Sequence, residues 1–211
     1  MIEPKQFYRK MDRMLASIAS DGEQSNLLPQ ILDDLSSSFG EELKFANGHL
    51  YRDLFGVYEL LHVSGASDVF PARLEGTDPA VKVLTQHGSF LFETPSEIPA
   101  WYRPRPGDAG QFVAFLIDGP PGHRYIMMFS LREGWVQDEL AFCLNGTRFA
   151  LNYRLRSDAA SSEMATAAAI QRSLLPTSPP TFTGWDNAAQ SVPAEAVGGD
   201  LYDFIDLEDG L

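Results

Sequence analysis

The residues best suited to chemistry lie near the C-terminus, in the segment Gly198-Gly199-Asp200. Two adjacent glycines let the backbone adopt conformations closed to other residues, and the carboxylate that follows is a hard oxygen ligand of the kind that Mg2+ or Mn2+ binds. A hydrolase that uses two such cations needs several carboxylates from separate strands to activate water and hold a phosphoryl oxygen. The segment predicts one part of a cation site, with Asp203 as a second candidate ligand and a solvated acidic tail as the alternative for Asp203.

The residues around this segment give it a specific pattern. Residues 192–204 read V-P-A-E-A-V-G-G-D-L-Y-D-F, and residues 169–176 before them read A-I-Q-R-S-L-L-P. Together they resemble the opening of the PPM-type serine/threonine phosphatase domains of the bacterial sporulation-stage-two-E and stress-response sigma-regulator type. Taken without these flanks, Gly198-Gly199 would be interpreted as an ordinary turn.

The resemblance implies a function and a set of roles. Asp200 would be a metal ligand in a loop formed by Gly198 and Gly199, the cofactor would be Mn2+ or Mg2+, and the substrate would be a phosphoprotein, often an anti-sigma-factor antagonist. The family's later metal-binding aspartates lie beyond Leu211, where this sequence ends. We therefore expect no complete catalytic site, and no phosphatase activity, in residues 1–211.

Composition excludes several classes of partner and site. The formal net charge of -13 argues against nucleic-acid and anionic-membrane partners, which require a cationic face. No apolar run reaches the roughly 18 residues of a membrane span, and the N-terminus lacks an apolar signal core, so we expect a cytoplasmic protein. Cys143, the only cysteine, excludes an intrachain disulfide and is expected to be inert packing. The histidines show no metal-ligand spacing: His49, His62, His87 and His123.

Hydrophobic periodicity predicts the elements that position these residues. Apolar residues at i, i+3, i+4 and i+7 predict helices at the start and end of the first 156 residues, and period-two runs predict strands between them. The predicted helices cover residues 5–19, 26–40, 78–86 and 137–156, and the predicted strands cover residues 45–51, 57–63, 89–92, 112–117 and 125–131.

This order of elements is similar to that of the GAF sensory domain, with the related PAS fold as the alternative. The predicted fold class is α+β, with a mostly antiparallel sheet and flanking helices, a helical linker, and an incomplete PPM-phosphatase α/β sandwich. The predicted domains are residues 1–156, 157–177 and 178–211.

A proline-rich loop at residues 94–108 is the candidate cover of a ligand pocket. A GAF domain resembling this one would hold its ligand between the sheet and this loop. The predicted wall consists of Phe92, Trp101, Tyr102 and Phe115, and core and lid packing is the alternative explanation for these side chains. The ligand, a small molecule or a protein regulator, is not indicated by the sequence.

The linker carries a three-four spacing of mostly small and apolar residues. This spacing, at Ala160, Glu163, Ala167, Ile170 and Leu174, by itself favours a solvent-exposed connecting helix, because an alanine seam buries little area. In a linker between a sensor and a phosphatase, it favours a coiled-coil homodimer. The sequence thus predicts the sensor portion of a metal-dependent phosphatase in bacterial signalling. The alternative function is a non-catalytic, dimeric GAF module that binds a ligand or partner.

Overall fold

A computed structural model describes residues 3–18, 27–119, 121–181, 184 and 187–205. These described residues form four helices and six strands, and the helices at both ends match the predicted periodicity. Ala19 and Asn26, at the predicted ends of the first two helices, lie outside the described residues. In chain order the elements are α1 (Pro4–Ile18), α2 (Leu27–Leu43), β1 (Phe45–Leu54), β2 (Val57–Ser64), β3 (Arg73–Glu75), α3 (Pro79–His87), β4 (Ser89–Phe92), β5 (Asp108–Asp118), β6 (Arg124–Arg132) and α4 (Gln137–Leu174).

The six strands form one sheet in the order β3-β2-β1-β6-β5-β4. Every neighbouring pair is antiparallel, which confirms the predicted α+β class with an antiparallel sheet. The edge strand β3 was not predicted, because three residues are too few to show a period-two pattern.

One face of the sheet, here called the helical face, packs against α1, α2 and α4. The residues buried between this face and the helices include Phe39 of α2, Phe115 of β5 and Phe129 of β6. Cys143 of α4 lies in the same cluster, and burial, followed by the nearby carboxylates Glu139 and Glu42, raises the pKa of its thiol to about 12. A buried thiol with such a pKa is unreactive near neutral pH, in keeping with a packing role.

The opposite face, here called the loop face, is covered by α3, by residues 66–72 and by the proline-rich loop. The residues between β4 and β5 contain no helix or strand, as their four prolines predicted. The two faces therefore enclose two separate hydrophobic clusters, one under the helices and one under the loops.

The chain divides into two compact units, Met1–Leu155 and Arg156–Leu211. Helix α4 runs unbroken from the first unit into the second, so the change to Ala, Ser and Thr at residue 157 does not end the helix. After Leu174, the described residues include no further helix or strand. None of the described helices has the length and apolar character needed to cross a bilayer.

The turn after α3 supports a prediction about stability. Gly88 ends the helix at a φ of 79°, and a Cβ added there would lie 2.3 Å from Cζ of Arg148. Gly88→Ala therefore combines left-handed backbone strain with displacement of a guanidinium whose Nε donates to the Leu116 carbonyl. We expect a loss of about 2–4 kcal/mol in the free energy of unfolding, measured by urea denaturation.

Gly107→Ala is the matched control, because Gly107 has a φ of 95° and nothing within 4 Å of an added Cβ. Its free energy of unfolding should fall only by the roughly 1–2 kcal/mol that left-handed backbone strain costs an alanine. Equal losses for the two variants would show that Arg148 moves aside without cost.

Candidate functional site

The loop face holds a box of aromatic rings around Phe70. The centroid of the Phe70 ring lies 5.0 Å from that of His49, 5.2 Å from Tyr102, 5.3 Å from Phe112 and 6.4 Å from Trp101. The Phe70 side chain is almost fully buried, so its ring fills the space at the centre of the box. Such a box fits a flat aromatic group with edge-on and stacked contacts.

The structure brings together three of the four predicted wall residues. Trp101 and Tyr102 flank Phe70, and Phe92 stacks on Phe112 with 4.3 Å between ring centroids and 10° between planes. Phe115 does not join them, because it lies in the cluster under the helices. Side chains alternate along β5, so Phe112, three residues away, occupies the loop face that Phe115 was expected to share.

Hydrogen bonds fix the polar ends of the rings in the box. The indole Nε1–H of Trp101 donates to Oδ2 of Asp78 at 2.9 Å, and the hydroxyl of Tyr102 donates to the Gln111 carbonyl at 2.9 Å. The hydroxyl of Tyr51 donates to the Pro71 carbonyl at 2.8 Å. Burial raises the pKa of both tyrosines, so both remain neutral donors.

His49 is the exception, since one of its nitrogens is left without a partner. The side chain has 0% exposure, Nε2 lies 3.4 Å from the Ser67 carbonyl, and Nδ1 has no hydrogen-bond partner among the residues that the structure describes. Burial lowers its pKa, against smaller opposing effects of the Ser67 and Gly48 carbonyls and the Asp68 charge, so we take the ring as neutral. With Nε2–H directed at Ser67, Nδ1 presents an unsatisfied acceptor lone pair, which costs about 1–3 kcal/mol when buried.

Residues 66–72, here called the strap, carry Phe70 across the box. The Ala66 amide donates to Oδ1 of Asn47 at 2.9 Å, and the Arg103 amide donates to the Val69 carbonyl at 2.9 Å. An ion pair also holds the strap, with Nη2 of Arg105 at 2.8 Å from both carboxylate oxygens of Asp68. The hydrogen bonds from Arg105 lower the pKa of Asp68, but the pair is exposed and contributes little to stability.

The candidate metal segment lies in the second unit. Asp200 and Asp203 are exposed, and Oδ1 of Asp203 accepts a hydrogen bond from the Phe204 amide at 2.8 Å. Within the described ranges, no three His, Cys, Asp or Glu side chains lie close enough to hold a metal ion. Because two divalent cations need several carboxylates, the residues described could supply only part of the metal centre that the resemblance implies.

The linker residues are accessible on the surface of α4. Ala167 is exposed, as are Ile170 at 56% and Leu174 at 65%. Within the second unit they leave an apolar face uncovered, which is compatible with a partner helix.

Comparison with solved structures identifies the fold of the first unit. The GAF domain of an Acinetobacter phosphoenolpyruvate-protein phosphotransferase matches with a TM-score of 0.55 and 13% identity, covering 76% of this chain and 97% of that one. The fold is that of a GAF domain. The corresponding Coxiella burnetii GAF domain matches with a TM-score of 0.50 and 16% identity, over 74% of this chain and 98% of that one.

The fold of this chain is also similar to that of an enzyme. A free methionine-R-sulfoxide reductase from Neisseria meningitidis, solved with its substrate, matches with a TM-score of 0.56 and 10% identity, over 74% of this chain and 92% of that one. Identities this low show the fold alone. No protein family and no curated protein matched the sequence.

The sequence analysis missed three residues of the box, His49, Phe70 and Phe112, and the neighbouring Tyr51, whose ring centroid lies 6.3 Å from that of His49. For His49 and Tyr51, the period-two spacing in β1 was the available signal, because it places them on one face of the sheet. Phe70 lies in a segment without periodicity, where its burial depends on contacts distant in sequence.

Proposed function

We propose that this chain is a sensory GAF module that binds a small planar ligand on the loop face. The observation that carries the proposal is the fully buried His49, whose Nδ1 acceptor has no partner and whose ring contacts Phe70 edge-on at 5.0 Å. Buried acceptors are normally satisfied, and an exception calls for a functional explanation. The ligand class is a flat, aromatic or heteroaromatic molecule with an N–H or O–H group that donates to Nδ1.

In this proposal the ligand ring takes the place of the Phe70 ring. The surrounding rings offer a second aromatic group the same contacts that they make with Phe70. The strap is the segment that moves, because the Asp68–Arg105 pair that helps to hold it is exposed. The hydrogen bond gained at Nδ1 favours the ligand over the phenylalanine that it displaces.

The test compares indole, which has an N–H donor, with toluene, a smaller aromatic hydrocarbon that has none. Binding is followed in the unmodified chain through the 15N signal of His49 Nδ1, which we expect to shift saturably with indole and much less with toluene. Phe70→Ala empties the box and should strengthen indole binding, since a buried cavity of about 150 Å3 binds an aromatic ring.

Phe115→Ala is the matched control, because it removes an equally buried ring from the helical face, where the neighbouring side chains are apolar. It should not favour indole over toluene. The proposed site is wrong if the His49 signal of the unmodified chain does not respond to indole. It is also wrong if Phe70→Ala binds toluene more tightly than indole.

Reduction of a sulfoxide by Cys143 is not part of this proposal. The chain has one cysteine, Cys143, and its buried thiol has a pKa of about 12. Such a group supplies too little thiolate for attack on a substrate.

We further propose that the module is the sensor portion of a metal-dependent serine/threonine phosphatase acting on a phosphoprotein in bacterial signalling. The support is the sequence from Ile170 to Asp200, with its I-Q-x-x-L-L-P and V-G-G-D segments. In the complete phosphatase Asp200 would contribute to binding Mn2+ or Mg2+, with Asp203 as a second candidate. The 211-residue chain itself should not hydrolyse a phosphoserine peptide; turnover that is lost in Asp200→Asn would contradict this.

The second candidate function is a non-catalytic, dimeric GAF module. The exposed apolar residues of α4 favour a dimer under either function. The reading frame after Leu211 distinguishes the two, since a continuation with further Asp-containing strands supports the phosphatase and a stop codon supports the module.

A further inference from the structure

One side chain joins the two sequence segments that resemble the phosphatase. The carboxamide of Gln171, in the last turn of α4, donates from Nε2 to the Gly198 carbonyl at 2.6 Å. Its Oε1 accepts a hydrogen bond from the Gly198 amide at 2.8 Å. Both polar groups of the side chain are therefore paired with both polar groups of one backbone residue.

This pairing depends on the carboxamide group of Gln171. A carboxamide is the side chain that offers a donor and an acceptor side by side without charge. An added Cβ at position 198 would make a tight contact of 3.1 Å with Cβ of Pro193 and only an ordinary contact of 3.6 Å with Nε2 of Gln171. The same contact holds a stretch of backbone that has no helix or strand of its own.

We infer that Gln171 is a positioning residue that fixes the Gly198-Gly199-Asp200 segment to the last turn of α4. Since successive residues of an α-helix are about 100° apart around its axis, turning α4 by one residue breaks both hydrogen bonds together. Rotation or fraying of the helix end thus releases the segment that carries Asp200. The inference that this release regulates activity rests on the proposed phosphatase function. The positioning of Gly198 by Gln171 does not depend on that function.

The first test replaces Gln171 with leucine, which keeps the helix propensity of the residue and removes both hydrogen bonds. In the 211-residue chain, we expect hydrogen exchange at the Gly198 amide to accelerate about fivefold or more. Gln190→Leu is the control, since Gln190 is an exposed glutamine of the same unit. It should leave exchange at Gly198 unchanged.

The second test replaces Gln171 with glutamate, which has the same shape. Near neutral pH its carboxylate accepts from the Gly198 amide but repels the Gly198 carbonyl, so the pair is half broken. Below about pH 4 the protonated carboxyl donates again, and the NMR signal of the Gly198 amide should return to its position in the unmodified chain. The unmodified chain, titrated in parallel, accounts for the nearby carboxylates Glu195, Asp200 and Asp203.

Two results would overturn the inference. One is exchange at Gly198 that stays within twofold of the unmodified chain in Gln171→Leu; the other is a Gly198 signal in Gln171→Glu that follows the unmodified chain at every pH. The His49 signal, recorded with indole on the same samples, separates this outcome from failure of the loop-face site, because Gln171 and His49 lie in different units.

Discussion

Phe112→Ala is expected to lower the free energy of unfolding by about 3–5 kcal/mol, the range for removing a fully buried phenylalanine. Phe112 is completely buried, and its ring lies 4.3 Å from the ring of Phe92 and 4.7 Å from that of Tyr102, centroid to centroid. Phe112 lies in β5, and the backbone hydrogen bonds of the sheet prevent the strands from closing the cavity that the missing ring leaves. Because domains are stable by roughly 5–15 kcal/mol, the loss is a large share of the total.

Urea denaturation followed by tryptophan fluorescence measures this loss, since Trp101 contacts the same cluster. Phe55→Ala is the control, because Phe55 is fully exposed at the tip of the β1–β2 hairpin and removing its ring leaves no cavity. It should change stability by no more than about 0.5 kcal/mol. A loss below about 1 kcal/mol for Phe112→Ala would mean that the loop-face cluster is poorly packed.

Ala167→Asp is expected to weaken self-association of the chain at least about tenfold, because it places a charge in the proposed seam between paired helices. The seam residues Ile170 and Leu174 are exposed, although apolar side chains of this size are usually buried. The same three-four spacing continues towards the start of α4 at Tyr153 and Phe149, which are 70% and 76% exposed.

Ala169→Asp makes the same change two residues away, about 200° around the helix, at another exposed alanine. It should leave the dimer intact, and sedimentation equilibrium of both variants measures the difference. A monomeric unmodified chain, or equal weakening by the two substitutions, would contradict the proposed seam.

Helix α4 is the element through which a ligand signal would reach the C-terminal segment. Helix α4 contributes Leu151 to the buried cluster of the first unit and carries Gln171 in its last turn. A helix that pairs with a second copy responds to changes in packing by small rotations and shifts. Rotation is the motion to which the Gln171–Gly198 pair is most sensitive, since both of its hydrogen bonds depend on the direction of one side chain.

The sequence determined the elements of the first unit because their patterns are local. Period-3.6 and period-two spacing depends only on which side of an element is buried, and prolines prevent regular structure in the loop before β5 whatever surrounds it. The order of these elements was sufficient for a GAF fold. The segment Gly198-Gly199-Asp200 was visible for the same reason, as a run of adjacent residues.

The tertiary structure decided which residues meet across the sheet. The register of β4 and β5 places Phe92 opposite Phe112, and this pairing is a property of two strands together. The position of Phe70 and the unpaired nitrogen of His49 depend on the strap crossing β1, a contact between residues about 20 positions apart. The Gln171–Gly198 pair likewise joins residues 27 positions apart. Local patterns carry no information on such contacts, because chain reversal and packing bring these residues together only in the folded protein.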